Sequence, residues 1–237
     1  MNGIIDQHDG YTKEVSREFF RSVYGYMFAA LGISGIIAYL FGTDKQLFAS
    51  YFVTATGGIS PLFYVVVFAP LLLGIVIQSA YQRLSLGLLM ILFVLYSVCM
   101  GLSLSTIFLV YTDAAIAMTF FVAAGAFAGM AILGYTTNTD LTKFGSLLYM
   151  VFIGMFIAMI VNMFMDSDTL TFAISVLGVF VFTGLTAYYM QQLKGLSQDT
   201  SMSGLDRNKL ALIGGLQLYI LFVNLFLSLL RILGSRE

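Results

Sequence analysis

The groups with chemical capacity inside the apolar stretches of this chain are uncharged, and they gather towards its end. Gly214, Gln217, Leu221, Asn224 and Ser228 follow one another at spacings of 3, 4, 3 and 4 residues, which places them on one helical face. Upstream, Tyr188, Tyr189, Gln191 and Gln192 close another apolar stretch. A polar stripe of this kind either lines a water-filled path through a bundle or ties helices together. Interhelical hydrogen bonds of that sort contribute only ~0.6 kcal/mol on average. The apolar stretches hold no carboxylate and no base, so proton relays and charge-compensated ion sites lack their usual groups. His8 is the single histidine and sits in the polar N-terminal tail, and Cys99 is the single cysteine. A His-based zinc site, a Ser-His-Asp triad and a Cys-rich metal site are therefore excluded from the bundle. No catalytic residue, metal site or cofactor is expected, and the chain is not expected to be an enzyme.

Three further polar clusters have plain structural readings. Gln78, Ser79 and Gln82 read as a solvated helix terminus. Asp166 and Asp168 supply two carboxylates where calcium takes 6–8 oxygen ligands, so a solvated turn is expected. Thr136-Thr137-Asn138-Thr139-Asp140 reads as a loop whose hydroxyls and carboxylate cap the next helix.

The elements that must carry these residues follow from where charge is missing. Seven blocks contain no Asp, Glu, Lys, Arg or His: 22–43, 46–82, 84–112, 114–139, 144–165, 169–193 and 210–230. A hydrocarbon core about 30 Å thick needs ~20 apolar residues per helix, and every block is long enough. Helices are expected at 20–41, 61–81, 84–109, 114–135, 144–165, 170–193 and 210–232. Residues 54–61 carry turn chemistry before a helix that starts at Pro61, and Pro70 is expected to kink that helix. The chain divides into a polar N-terminal tail (1–18), a transmembrane domain (19–234) and a C-terminal tail (235–237). It is 59% hydrophobic and only 10% charged, against about 25% charged in soluble domains. An all-α integral membrane protein in the lipid bilayer is the reading. A net charge of −1 leaves no polybasic arm for nucleic acid.

Basic residues set the expected topology. Lys13, Arg17, Arg21, Arg83, Lys143, Lys194, Arg207 and Lys209 fall on one side, against Lys45, Arg231 and Arg236 on the other. Positive residues stay inside, which gives a cytoplasmic N-terminus and an external C-terminus. Small residues mark two faces, Gly125 and Gly129 with Ala124 and Ala128, and Gly25, Ala29, Gly32 and Gly35. They are expected to serve close intramolecular packing, or else a dimer interface.

Several stretches carry a resemblance. They are Leu95-Tyr96-Ser97 with Gly101-Leu102-Ser103-Leu104-Ser105, Gly134-Tyr135-Thr136-Thr137, Gly184-Leu185-Thr186-Ala187-Tyr188 through Gln191 to Lys194, and Leu218-Tyr219 with Phe222-Val223-Asn224-Leu225-Phe226 and Leu229-Leu230-Arg231-Ile232-Leu233-Gly234. On these the chain resembles the Bax inhibitor-1/YccA family, also called the transmembrane BAX inhibitor motif-containing family. The resemblance implies six helices around a central seventh. It also implies roles in calcium or other cation leak, regulation of cell death in eukaryotes, and modulation of a membrane protease in bacteria. The family's leak mechanism uses two buried aspartates, on the sixth and seventh spans, that share a proton.

Both aspartates are missing here. Tyr189 follows Thr186-Ala187-Tyr188 at the first position, and Leu221 follows Leu218-Tyr219-Ile220 at the second. The basic partner at the end of the second span falls on Ala80 or Tyr81, with Arg83 nearby. The expected seam is a hydrophobic plug of Tyr189 and Leu221, with Asn224 and Gln217 hydrogen-bonding above and below it and Gln191 and Gln192 beyond. The leading functional expectation is a regulatory or binding membrane protein of a bacterial inner membrane, acting on a membrane protease or translocation machinery. The alternative is a pH-insensitive calcium leak channel without the di-aspartate gate.

Overall fold

A computed structural model describes residues 2–54, 56–199 and 202–235, with side chains from Glu14 onward. Eight α-helices follow in order: α1 (Asn2–Thr43), α2 (Lys45–Phe52), α3 (Pro61–Ala80), α4 (Leu86–Leu104), α5 (Asp113–Thr136), α6 (Thr142–Met165), α7 (Asp168–Ser197) and α8 (Gly204–Leu233). A 3₁₀ segment, Ser105–Leu109, prolongs α4. Seven of these helical stretches are long and apolar enough to cross a membrane, with mean hydropathies of 1.6 to 2.4. The protein is a multi-pass membrane protein with an all-helical fold.

The ends of the helices are written in local chemistry. Asp44 caps α2 by accepting from the N–H groups of Gln46 and Leu47 at 3.0 and 2.9 Å, and Ser85, Thr112 and Ser167 cap α4, α5 and α7 in the same way. These bonds satisfy donors that a first helical turn leaves open. Between α2 and α3 the chain turns through Gly57, whose φ of 82° suits glycine. Two boundaries differ from the sequence expectation. The helix of the first span starts at Asn2, within the polar tail, and α2 is a short additional helix ahead of the turn. α3 runs unbroken through the buried Pro70.

Packing groups the chain into two compact units. One comprises Met1–Tyr111 with Thr200–Tyr219, the other Thr112–Asp199 with Ile220–Arg236. α8 thus gives its first half to one unit and its second half to the other. It is the most enclosed of the described spans, with 67% of its apolar window buried against 17% for α6.

In the first unit, close approach depends on three glycines. A Cβ on Gly101 would lie 2.7 Å from the Ser34 carbonyl oxygen, one on Gly215 2.6 Å from that of Val23, and one on Gly42 2.7 Å from that of Ser105. In the second unit, Gly134 sits on the Ala187 backbone, Gly145 on the Tyr188 ring, Gly178 on Ser228, and Gly184 on Leu148. These contacts let backbones approach where side chains would hold them apart.

The two small-residue faces expected to pack do not. A Cβ on Gly25, Gly32, Gly35, Gly125 or Gly129 would meet nothing within 4 Å, and Ala29 and Ala128 are exposed. The spacing of small residues marks a smooth face, and only the partner's position decides whether that face is used. Large apolar side chains such as Phe121, Phe164 and Met118 likewise face outward, at 74%, 87% and 71% exposure, where lipid replaces water as their neighbour.

A paired substitution tests this division. Gly101→Ala should destabilise the protein by about 1–3 kcal/mol through overpacking against backbone. Gly129→Ala should be neutral or stabilising by roughly 0.5–1 kcal/mol, because only the helix preference changes. Thermal unfolding of the two purified variants in one detergent checks the contrast; equal effects would contradict it.

Candidate functional site

The polar end of α7 is built into the second unit by its neighbours. Gln191 accepts the Leu141 N–H at 2.8 Å and donates to the Thr139 carbonyl, also at 2.8 Å. One amide side chain therefore satisfies both a donor and an acceptor of the segment joining α5 to α6. Within that segment Asp140 accepts the Thr142 N–H at 2.9 Å at the start of α6. Its carboxyl is held below the usual carboxylate range by the Thr142 side chain and N–H. Lys194 lies 5.3 Å from the centre of the Tyr135 ring, a cation–π distance.

Tyr188 fills the space next to this tie. It is buried, covers Gly145, and meets the Tyr149 ring edge-to-face with centroids 6.2 Å apart. Its hydroxyl accepts from Gln192 Nε2 at 2.6 Å. The motif residues Gly134, Tyr135, Gly184, Ala187, Tyr188, Gln191 and Lys194 thus form one structural junction of α5, α6 and α7. This junction answers the choice left open by the sequence for Gln191 and Gln192: both tie local structure together.

Tyr189 and Leu221 belong to the same unit. In this unit Gly178 of α7 lies against Ser228 of α8. Tyr189 is half-buried and Leu221 is 3% exposed. Next to Leu221, Phe222 packs edge-to-face on Phe120 and Phe127 at 5.4 and 5.6 Å. The α8 face here is aliphatic and aromatic.

The hydrogen-bonded rims expected around a plug are not formed. Asn224 donates to the Ile220 carbonyl of its own helix at 2.8 Å, and Ser228 donates to the Asn224 carbonyl at 2.8 Å. Gln217 is half-buried and makes no hydrogen bond among the described residues. In an apolar layer a polar side chain on a helix finds its nearest acceptor one turn back on its own backbone, so a stripe at helical spacing need not bridge helices.

The remaining polar clusters follow the sequence reading. Gln78, Ser79 and Gln82 are exposed. Asp166 ends α6 in a left-handed conformation at φ 46°, and Asp168 opens α7. Asn162 organises that turn, accepting from the Ser167 N–H and donating to Thr171 Oγ1 at 3.1 and 2.7 Å. What sequence reasoning missed lies in the first unit. Tyr81, Gln82, Asp206, Lys209 and Leu210 line a cavity of about 310 Å³. Its one advance signal was the Ser203-x-x-Asp206 spacing of a helix cap.

A seven-span, all-helical bundle with a closely packed final helix defines the class of protein. Residues 16–237 match the family described as Inhibitor of apoptosis-promoting Bax1, and the chain belongs to this Bax inhibitor-1 family. It is 40% identical over 224 residues to the Inner membrane protein YbhL of Escherichia coli, covering 92% of each chain. It is also 41% identical over 227 residues to a Borreliella burgdorferi protein, covering 94% of each. A Streptococcus pyogenes membrane protein is 30% identical over 220 residues, covering 93% of each.

Removing the Gln191 tie gives a direct check of the junction. Gln191→Leu should cost about 1–3 kcal/mol, the penalty for leaving a partly buried N–H without its acceptor. Amide exchange at Leu141 should accelerate in the variant. Unchanged exchange there would show that the segment is held by other means.

Proposed function

We propose that the protein is a regulatory or binding component of a bacterial inner membrane, acting on a membrane protease or translocation machinery. One observation carries this reading. The two positions at which the family's leak mechanism places aspartates hold Tyr189 and Leu221, and Leu221 is packed into the core at 3% exposure. Rings of carbonyl oxygens or charged side chains give channels their ion selectivity, and the aliphatic side chain of Leu221 supplies neither. The name of the Escherichia coli relative, an inner membrane protein, supports the location. The basic residues Lys13, Arg17 and Arg21 in the first half of α1, with those around the α7–α8 connection, support a cytoplasmic N-terminus.

The surface proposed for a partner is the start of α8. This helix begins at Gly204, ahead of the 210 expected from sequence, and Leu205 stands there outside the charge-free stretches at 56% exposure. An exposed leucine at a helix start on the cytoplasmic side suits contact with another protein.

Photo-crosslinkers placed at Gln198 and Leu205 in cells should capture the same membrane protein, and Leu205→Glu should weaken capture from Gln198 at least tenfold. Different products at the two positions, or capture indifferent to Leu205→Glu, would contradict the reading. For topology, reporters fused after Gln198 and after the last residue should report opposite sides of the membrane. Matching sides would remove the seventh crossing.

Leu221→Asp should destabilise the protein by roughly 3–4 kcal/mol, the difference in insertion cost between the two side chains. Burial raises the folded-state pKa of the new carboxyl, so the folded protein holds its proton where the unfolded chain has lost it. Stability of this variant should therefore fall as pH rises above about 4, the unfolded value. Adding Tyr189→Asp should restore part of the loss. Thermal unfolding between pH 4 and 8 measures both; a single variant as stable as wild type across that range would refute the packed seam.

A further inference from the structure

The cavity in the first unit sits where two charge-free stretches stop. The block 46–82 ends at Gln82 and the block 210–230 begins at Leu210, and both residues line the cavity. That boundary is the depth at which a spanning helix leaves hydrocarbon and meets lipid headgroups. At about 310 Å³ the cavity is at the lower end of ligand sites, which run ~300–1,000 Å³.

Its charged groups are only partly satisfied. Lys209 is 9% exposed, yet among the described residues its one hydrogen bond runs from Nζ to the Gln82 carbonyl at 3.5 Å. That distance is at the limit of a hydrogen bond, and an ammonium has three hydrogens to give. No carboxylate pairs with Lys209 among the described residues. A buried cation in that condition is costly unless an anion joins it. Asp206 is held in place from one side: Ser203 Oγ donates to its Oδ2 at 2.6 Å, and its N–H donates to Ser203 Oγ at 3.1 Å. Among the described residues its other oxygen accepts no hydrogen bond. Tyr81 accepts from Gln82 Nε2 at 3.2 Å, which leaves the phenol O–H as a donor.

A simple anion would satisfy Lys209 and meet repulsion from Asp206. A simple cation would do the reverse. We propose that this cavity binds a zwitterionic phosphoethanolamine group, with its phosphate on Lys209 and Tyr81 and its ammonium on Asp206. The apolar edge at Leu210 and the depth of the site fit a phosphatidylethanolamine headgroup; free phosphoethanolamine presents the same chemistry.

Thermal unfolding of the full chain in detergent tests this with four additives: short-chain phosphatidylethanolamine, phosphatidylglycerol, phosphatidylcholine and free phosphoethanolamine. At tenfold excess over its dissociation constant, phosphatidylethanolamine should raise the midpoint by roughly 3–5 °C, and the other two lipids by less. Lys209→Gln should abolish that shift. Asp206→Asn should reduce it to the level of phosphatidylglycerol. An equal shift from free phosphoethanolamine would identify a soluble ligand, and a shift from the lipid alone would identify a membrane one. Native mass spectrometry provides a readout independent of stability: wild type should retain phosphatidylethanolamine and Lys209→Gln should not. Equal or larger shifts from phosphatidylglycerol in wild type, or a shift retained by both variants, would overturn the proposal.

Discussion

Exclusion of charge from a hydrocarbon layer is the constraint on which everything else in this protein rests. It cuts the chain into seven stretches, obliges each to become a helix so that its backbone bonds to itself, and sends the ionisable groups to the ends. Because lipid is as apolar as leucine, the helices gain little from hiding apolar surface. They hold together by close contact, and the glycines at positions 101, 134, 145, 178, 184 and 215 permit it. The cost of a charge in the wrong place also explains why the loss of the family's two aspartates is coherent. Losing one would strand a buried acid, whereas losing both removes that penalty.

The junction of α5, α6 and α7 shows how a family signature can be structural. Gln191 closes the α5–α6 connection with both ends of its amide, while Tyr188 occupies the hollow that Gly145 leaves. These residues sit next to Tyr189 in the chain.

Spans were legible because hydropathy and charge act on every residue alike. The helices expected at 61–81, 84–109, 114–135 and 144–165 fell close to those bounds, whereas α1 began at Asn2 and α7 and α8 ran past theirs into the segment between them. Pairing was not legible. Gly125-x-x-x-Gly129 has the spacing of a packing face and meets nothing, whereas the isolated Gly101 and Gly215 make close contacts that no local pattern announced. Hydrogen bonding was equally opaque: Asn224 has the right position for an interhelical bond and turns to its own backbone. Lys209 counted in the sequence only as a positive charge, because its cavity is made with Tyr81 and Gln82, far away in the chain.

The proposed function turns on Tyr189 and Leu221 leaving this protein without a titratable gate. Calcium efflux from liposomes containing the purified protein tests it most directly when followed from pH 6 to pH 8. A tyrosine, at about 10 in model peptides and higher when buried, does not titrate in that window. The predicted result is efflux that stays at the level of protein-free liposomes, or that shows no change across the range. A leak that switches steeply between pH 6 and pH 8, and persists when His8 is replaced by Gln, would contradict it.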